Sequence, residues 1–278
     1  QDLRAIASYA KQNNLAWDGS QTYAASFATS ALANHLAAIV AHHLGDESMS
    51  SYSADQVTHA FVSQPTLYPF AQPEATTLGE VEGGRSRLHL LCFSGTSPIK
   101  EERWEYIYLN QYDRVRIAYP VLVARGSAVD SIQVRIRETG VTTTVQKIES
   151  LSTIAIDTFA PQGALALQKS IMRSMARAMG IAVSDSLSSS KDDNVSLLGD
   201  LLGLIFKVSG EASERADVRS THYLPSEAWV GAIDLEPGSY TVEISFINKW
   251  GQSLGTITQS VEVAGSRSLS LVEAFLPR

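Results

Sequence analysis

Side chains able to do chemistry are sparse along this chain. The densest group is Asp217-Val218-Arg219-Ser220-Thr221-His222-Tyr223-Leu224-Pro225. On an extended strand Asp217 and Arg219 share a face, about 7 Å apart at the backbone. A carboxylate and a guanidinium so placed can bind a polar ligand, or can tie a connecting segment to a sheet by satisfying backbone groups. No nucleophile or general base accompanies them, so the structural role is expected, with both side chains largely buried. Glu101-Glu102 are consecutive on a predicted strand and point to opposite faces, which rules out an acid/base couple of the glycosidase kind. His42 and His43 diverge by about 100° on a helix, and His35 and His42 are two turns apart, so these imidazoles do not read as ligands of one metal.

Lys169, Arg173 and Arg177 recur at i, i+4 and i+8. Such a stripe could meet anionic lipid or an acidic partner, and it is also the ordinary solvated face of an amphipathic helix. The single cysteine, Cys92, lies in the apolar run Leu88-His89-Leu90-Leu91-Cys92-Phe93, where core packing is expected. One thiol excludes an intrachain disulfide framework and any multi-Cys zinc site. The sequence holds no Gly-Lys-Ser/Thr phosphate loop, no Gly-x-Gly-x-x-Gly, no His-Glu-x-x-His and no Gly-x-Ser-x-Gly, and no cofactor is expected.

The bulk chemistry sets the frame for these residues. The chain has 278 residues with 22 basic and 29 acidic side chains, a formal charge of -7. That sign is wrong for a dedicated nucleic-acid binder. With 44% hydrophobic and 18% charged residues the chain should fold, and it is long enough for one large core or two smaller ones. The scarcity of cysteine points to a bacterial envelope protein. No apolar run of 18 or more residues is present, so no transmembrane segment is expected. A start at Gln1 without Met or an apolar leader suggests a processed chain.

Residues 1 to about 70 are Ala-rich, hold most of the histidines and have helical periodicity. Ser20 is the expected N-cap of a first helix that Gly45-Asp46 ends. Ser53-Ala54-Asp55-Gln56 should open a second, with Val57, Ala60 and Phe61 inward and Pro65 as its stop. From Leu88 on, alternation and β-branched runs predict strands at 88–93, 104–109, 115–123, 131–137, 142–149, 228–235, 240–248, 255–263 and 269–274. Glu236-Pro237-Gly238-Ser239 reads as the turn of a hairpin between two of them, with Gly238 at positive φ. A helical pair is expected between about 161 and 208. Its first helix begins at Pro161 and carries Ile171 to Met179; its second, 195–208, is nearly all apolar and should be covered on more than one side.

Several segments resemble those of a family of uncharacterised bacterial lipoproteins in which tetratricopeptide-type repeats precede a β-rich C-terminal domain. They are Gly95-Thr96-Ser97-Pro98-Ile99-Lys100-Glu101-Glu102, Ile117-Ala118-Tyr119-Pro120, the helix Ile171 to Met179, Asp217-Val218-Arg219-Ser220 with Leu224-Pro225, and Leu235-Glu236-Pro237-Gly238-Ser239-Tyr240. Ala41, Leu44, Ser53, Val57, Ala60 and Pro65 fall at the offsets of one tetratricopeptide unit of about 34 residues. The resemblance spans about residues 34–275. It implies a periplasmic or outer-membrane-associated scaffold whose N-terminal lipid anchor is absent here, and it supplies no catalytic residues.

The expected architecture is therefore α+β: a tetratricopeptide-like helical part over 1–75, then an antiparallel β-sandwich-like domain over 76–278 with a helical insertion at about 161–208. The expected function is a non-enzymatic envelope module that binds another protein or a cell-wall component, with Asp217, Arg219, Lys100 and Glu101 as candidate binding residues. The alternative is an enzyme acting on cell-wall glycan or peptide.

Overall fold

A computed structural model describes residues 25–108 apart from 80 and 82, 114–178, 216–265 apart from 222, and 268–277. The chain divides into two compact units. One comprises Ala25–Ile99, Ala124–Thr158 and Thr221–Arg278, and the other includes Lys100–Val123 and Phe159–Ser220.

The first unit is built on one seven-stranded sheet. Its strands are β1 (Ser86–Ser94), β4 (Ser131–Ile136), β5 (Thr142–Ser150), β6 (Glu227–Leu235), β7 (Gly238–Ile247), β8 (Ser253–Val263) and β9 (Ser270–Leu276), in the order β8-β7-β4-β5-β6-β1-β9. Only β1 and β9 pair in parallel. The sheet curls until its two edges nearly meet: Gln259 Nε2 of β8 donates to the Glu273 carbonyl of β9 at 2.8 Å. Alternation explains the filling of this near-barrel. Leu88, Leu90 and Cys92 of β1 face Ile233, Trp229 and Leu235 of β6 and Val242, Ile244 and Phe246 of β7 in one interior core. The buried Cys92 thiol has its pKa pushed up to about 12 by desolvation, in keeping with a packing role. Gly231 is required inside, because a Cβ there would stand 2.6 Å from Val145 Cγ1.

The opposite faces of β1, β5 and β6 carry a second layer. Leu91, Ile148, Ala228 and Val230 pack against Ala31 of helix α1 (Ala31–Leu44) and Val57 and Ala60 of helix α2 (Glu47–Ser63). Ser30 is the N-cap of α1 and accepts from the Ala33 amide at 3.0 Å. Gly45, at φ 78°, closes α1, and Asp46 caps α2 at once, so the two helices form one tight hairpin. A buried carboxylate fixes this hairpin on the sheet. Register shifts between Lys147 and Glu149 of β5, and this bulge sets Ile148 and Glu149 both toward α1. Glu149 accepts from Tyr68 Oη at 2.9 Å, Ser30 Oγ at 2.8 Å and the Leu32 amide at 3.1 Å, at the positive end of α1. Burial, and the Glu149 carboxylate beside it, hold the Tyr68 phenol well above its ordinary pKa.

In the second unit, strands β2 (Ile99–Tyr108) and β3 (Arg114–Val123) form a two-stranded sheet. Ile117 of β3 is buried against Leu167 and Ile171 of helix α3 (Leu151–Ala178). Tyr119 Oη donates to Glu105 at 2.6 Å, and burial together with that carboxylate raises its pKa to about 12.

Strand positions match the alternation closely, but the expected architecture is corrected. The described residues contain three α-helices, and the N-terminal ones make a single hairpin on a sheet with no repeat array. Seven of the described strands form one nearly closed sheet where a sandwich-like arrangement was expected, and β2 and β3 pair apart from it. Alternation reports that one face of each strand is buried, and both arrangements bury it; only the pairing order separates them. Among the described residues the first helix starts at Ala31 after Ser30, and the next at Glu47 after Asp46, six residues before Ser53, because Ser30 and Asp46 accept from the helix amides. Helix α3 starts at Leu151 and carries Pro161 inside. The ring removes one amide donor, a loss the rest of a 28-residue helix tolerates. The predicted hairpin is also absent. Strand β6 pairs with β1 and β5, and β7 pairs with β4 and β8, so Glu236-Pro237 is a corner that carries the chain to another part of the same sheet, and Gly238 already belongs to β7 without positive φ. The expected second insert helix, 195–208, and Ser20 lie outside the described residues.

Candidate functional site

The residues picked from the sequence lie in the second unit. Asp217 and Arg219 stand on an irregular segment, with side chains 58% and 91% exposed. The expectation that they are buried is corrected: they bind each other at 2.8 and 2.9 Å, and the Arg219 amide donates to Asp217 Oδ1 at 3.2 Å. Two residues apart, the pair closes on itself and leaves no unpaired charge that burial would have to satisfy. The Arg219 hydrogen bonds hold the Asp217 carboxyl well below the ordinary carboxylate range. Lys100 is close by: its amide lies 3.5 Å from Ser220 Oγ, and its ammonium stands 5.5 Å from the centre of the Phe159 ring. Glu101 is exposed on β2. Structure thus gathers Lys100, Asp217 and Arg219 on one open surface.

Among the described residues a concave surface lies elsewhere, in the first unit, and the sequence reading missed it. A cleft of about 480 Å³ opens along α2. Glu47, Ser50, Ser51, Ala54, Asp55 and Thr58 line one wall at helical spacing, and Gln72, Thr76 and Thr77 line the other. Gln72 Nε2 spans the walls, donating to Thr58 Oγ1 at 3.3 Å and to Thr76 Oγ1 at 2.9 Å. Ser50 Oγ and Thr76 Oγ1 are themselves spent on backbone carbonyls, those of Ala38 and Pro73. Hydroxyls, an amide and two carboxylates therefore make a polar trough that a hydrogen-bonding ligand can enter.

The cleft shares His42, Leu78 and Gly79 with a neighbouring pocket of about 290 Å³. Here α1 meets β1. His35, Ile39 and His43 fall at i, i+4 and i+8 on the sheet-facing side of α1, and His89 stands on the outward face of β1. His35 is 2% exposed and His89 4%. The rings of His43 and His89 meet edge to face, with centres 5.8 Å apart. The Nδ1 atoms of His35, His43 and His89 are all buried without a hydrogen-bond partner. Burial lowers the pKa of His35 to about 4; burial and then the neighbouring His35 and His43 lower that of His89 to about 3. All three imidazoles are neutral at pH 7, since burial, and then His42, also lowers His43. Beside them Arg87 forms a two-bond pair with Asp234 at 2.8 and 2.9 Å. The available signals were the i, i+4, i+8 spacing through Ile39 and one imidazole in an otherwise apolar strand.

Among the described residues no three His, Cys, Asp or Glu side chains gather so as to hold a metal ion, and no helix is long and apolar enough to cross a membrane. The chain matches no family model, no curated protein and no solved structure.

Proposed function

We propose that this chain is a binding module of the bacterial envelope that receives a polar, hydroxyl-bearing envelope component in the cleft along α2. The observation that carries this reading is the lining itself: Ser51, Asp55, Thr58, Gln72 and Thr77 border a space of about 480 Å³, within the size range of small-ligand sites. Carboxylates and hydroxyls on the α2 wall facing an amide and hydroxyls on the other suit a ligand that both donates and accepts hydrogen bonds, as a sugar ring does. The envelope setting and the scaffold role rest on the segment resemblance and on the scarcity of cysteine. Titration of isotope-labelled protein with soluble cell-wall glycan fragments tests it. Saturable shifts of α2 amides, weakened at least tenfold by Asp55→Ala or Gln72→Ala, support the reading. Absence of shifts across glycan and peptide fragments overturns it.

The second reading, an enzyme acting on cell-wall glycan, is favoured by Glu47, Asp55 and His42 lining the same cleft. New reducing ends released from glycan by the wild type and not by Asp55→Asn would decide for it.

A further inference from the structure

The two walls of the cleft are anchored separately. The α2 wall belongs to the helical hairpin, which rests on the outside of the sheet and contributes no residue to the interior core. The other wall is tied to the sheet itself: the Glu74 amide donates to Gln146 Oε1 of β5 at 2.8 Å, and Arg87 Nη1 of β1 donates to the Gly79 carbonyl at 3.2 Å. Gln72, bonded to Thr58 and to Thr76, spans the two. The cleft therefore lasts while the hairpin stays on the sheet.

The contact that holds the hairpin beside β1 accepts imidazole and opposes imidazolium. The rings of His42 and His43, and those of His43 and His89, stand 5.8 Å apart, and the Nδ1 atoms of His35, His43 and His89 are sealed without a partner. A proton added at a sealed Nδ1 meets no acceptor, and its charge meets no free carboxylate. On β1 the neighbouring charge is the Arg87 guanidinium; on β6 Asp234 is already bonded twice to it; on β9 the register neighbour of His89 is Leu271. Arg85, just ahead of β1, borders the same pocket, whereas Glu47 and Asp55 of α2 line the cleft. Glu149 of β5 is spent at the start of α1 on Ser30, Leu32 and Tyr68. Charged imidazoles in this contact repel one another and the guanidinium groups, and separation of α1 from β1 relieves that repulsion.

We propose that the α1–α2 hairpin is an acid-released wall of the cleft: protonation of His35, His43 and His89 lifts it from β1 while the barrel stays closed, and the cleft opens. Discharge of a ligand by this route rests on the proposed role of the cleft; the movement of the hairpin does not.

Amide hydrogen exchange of the full chain without ligand, at pH 7.5 and 5.0 and corrected for the intrinsic rate, tests this. Off the sheet, helices of 14 and 17 residues are marginal in water, so lifting shows as exchange of their amides. His35 and His89 have pKa values of about 4 and about 3 when docked, against 6.5 once released, so docking is strongest above about 6.5 and weakens as pH falls below it. At pH 5 each favours release about 30-fold, roughly a thousandfold together. Protection of the α1 and α2 amides should fall by that factor, and at pH 5 these amides should exchange at least tenfold faster than those of β4 and β7. The double variant His35→Leu, His89→Leu should remove most of the fall, whereas His59→Gln, at an exposed position of α2, should leave it intact. In the wild type alone, a fall of less than tenfold overturns the proposal, as does exchange of hairpin and barrel amides at one common rate at both pH values. A fall that persists in the double variant overturns it as well. Because no ligand is present, this inference and the glycan reading fail separately.

Discussion

Acidification from pH 7.5 to 5 should remove a large share of the stability of the barrel unit, through His35 and His89. Both are neutral in the folded chain, with pKa values lowered to about 4 and about 3 from 6.5. Because the folded pKa lies below the unfolded one, the unfolded chain binds protons first as pH falls. Stability is therefore full above about 6.5 and lost progressively below it, until the folded imidazoles titrate. At pH 5 each group has shifted the balance by about 2 kcal/mol toward the unfolded state, or about 4 kcal/mol together, against a total of roughly 5–15 kcal/mol for a typical domain. His43 acts in the same direction. The Asp234 carboxyl, kept below its usual range by the Arg87 hydrogen bonds, contributes stability that is lost only at lower pH, so it does not enter this window. Urea unfolding followed by circular dichroism at pH 7.5 and 5.0 measures the difference. The double variant His35→Leu, His89→Leu should lose most of the pH dependence, and His59→Gln none of it. A wild-type stability that changes by less than about 1 kcal/mol between the two pH values would refute the reasoning, since two buried neutral imidazoles could not then be present.

Glu149→Ala should cost about 2–4 kcal/mol in urea unfolding, because it leaves Ser30 Oγ and the Leu32 amide without their acceptor at the start of α1 and Tyr68 Oη with the Thr29 carbonyl at 3.2 Å in its place. Gly231→Ala should cost about 1–3 kcal/mol, since the new methyl meets Val145 Cγ1 at 2.6 Å, and adding Val145→Ala should recover part of the loss, as thermal melts of the single and double variants would show. Gly238→Val should shift the melting temperature little, because Gly238 has ordinary φ and its nearest neighbour is the Tyr240 ring at 3.6 Å; a collapse of the fold would restore the tight-turn reading.

Much of the local structure was legible in order. The strand runs from Leu88 to Ala274 were visible as alternation or as apolar and β-branched runs, because a strand with one buried face writes a period of two into the sequence and one buried on both faces, such as β1, writes a continuous apolar run. Cys92 as a packed residue, Gly45 as the stop of α1 and the inward Val57 and Ala60 were readable for the same reason: each answers to its own backbone or to the face it shares with near neighbours. Pairing was not readable. Nothing between Leu235 and Gly238 tells that the chain turns a corner into another part of the sheet, since a Pro-Gly pair serves a hairpin and a corner alike.

The site followed the same division. The sequence by itself determined that α1 carries His35 and His43 at a spacing that shares one side, and that β1 turns His89 away from Leu88 and Leu90. Only the tertiary structure decided that these faces meet, through a bulge in β5 that brings Glu149 under α1 and lays the helix against β1. It also decided against Asp217 and Arg219 as buried ties. Their partners were two residues away, so a local bond satisfied them and the fold had no need to enclose them. Contacts set by short sequence separation can be read from a chain, whereas a cluster formed by residues 46 to 54 positions apart depends on a sheet pairing that no local pattern encodes.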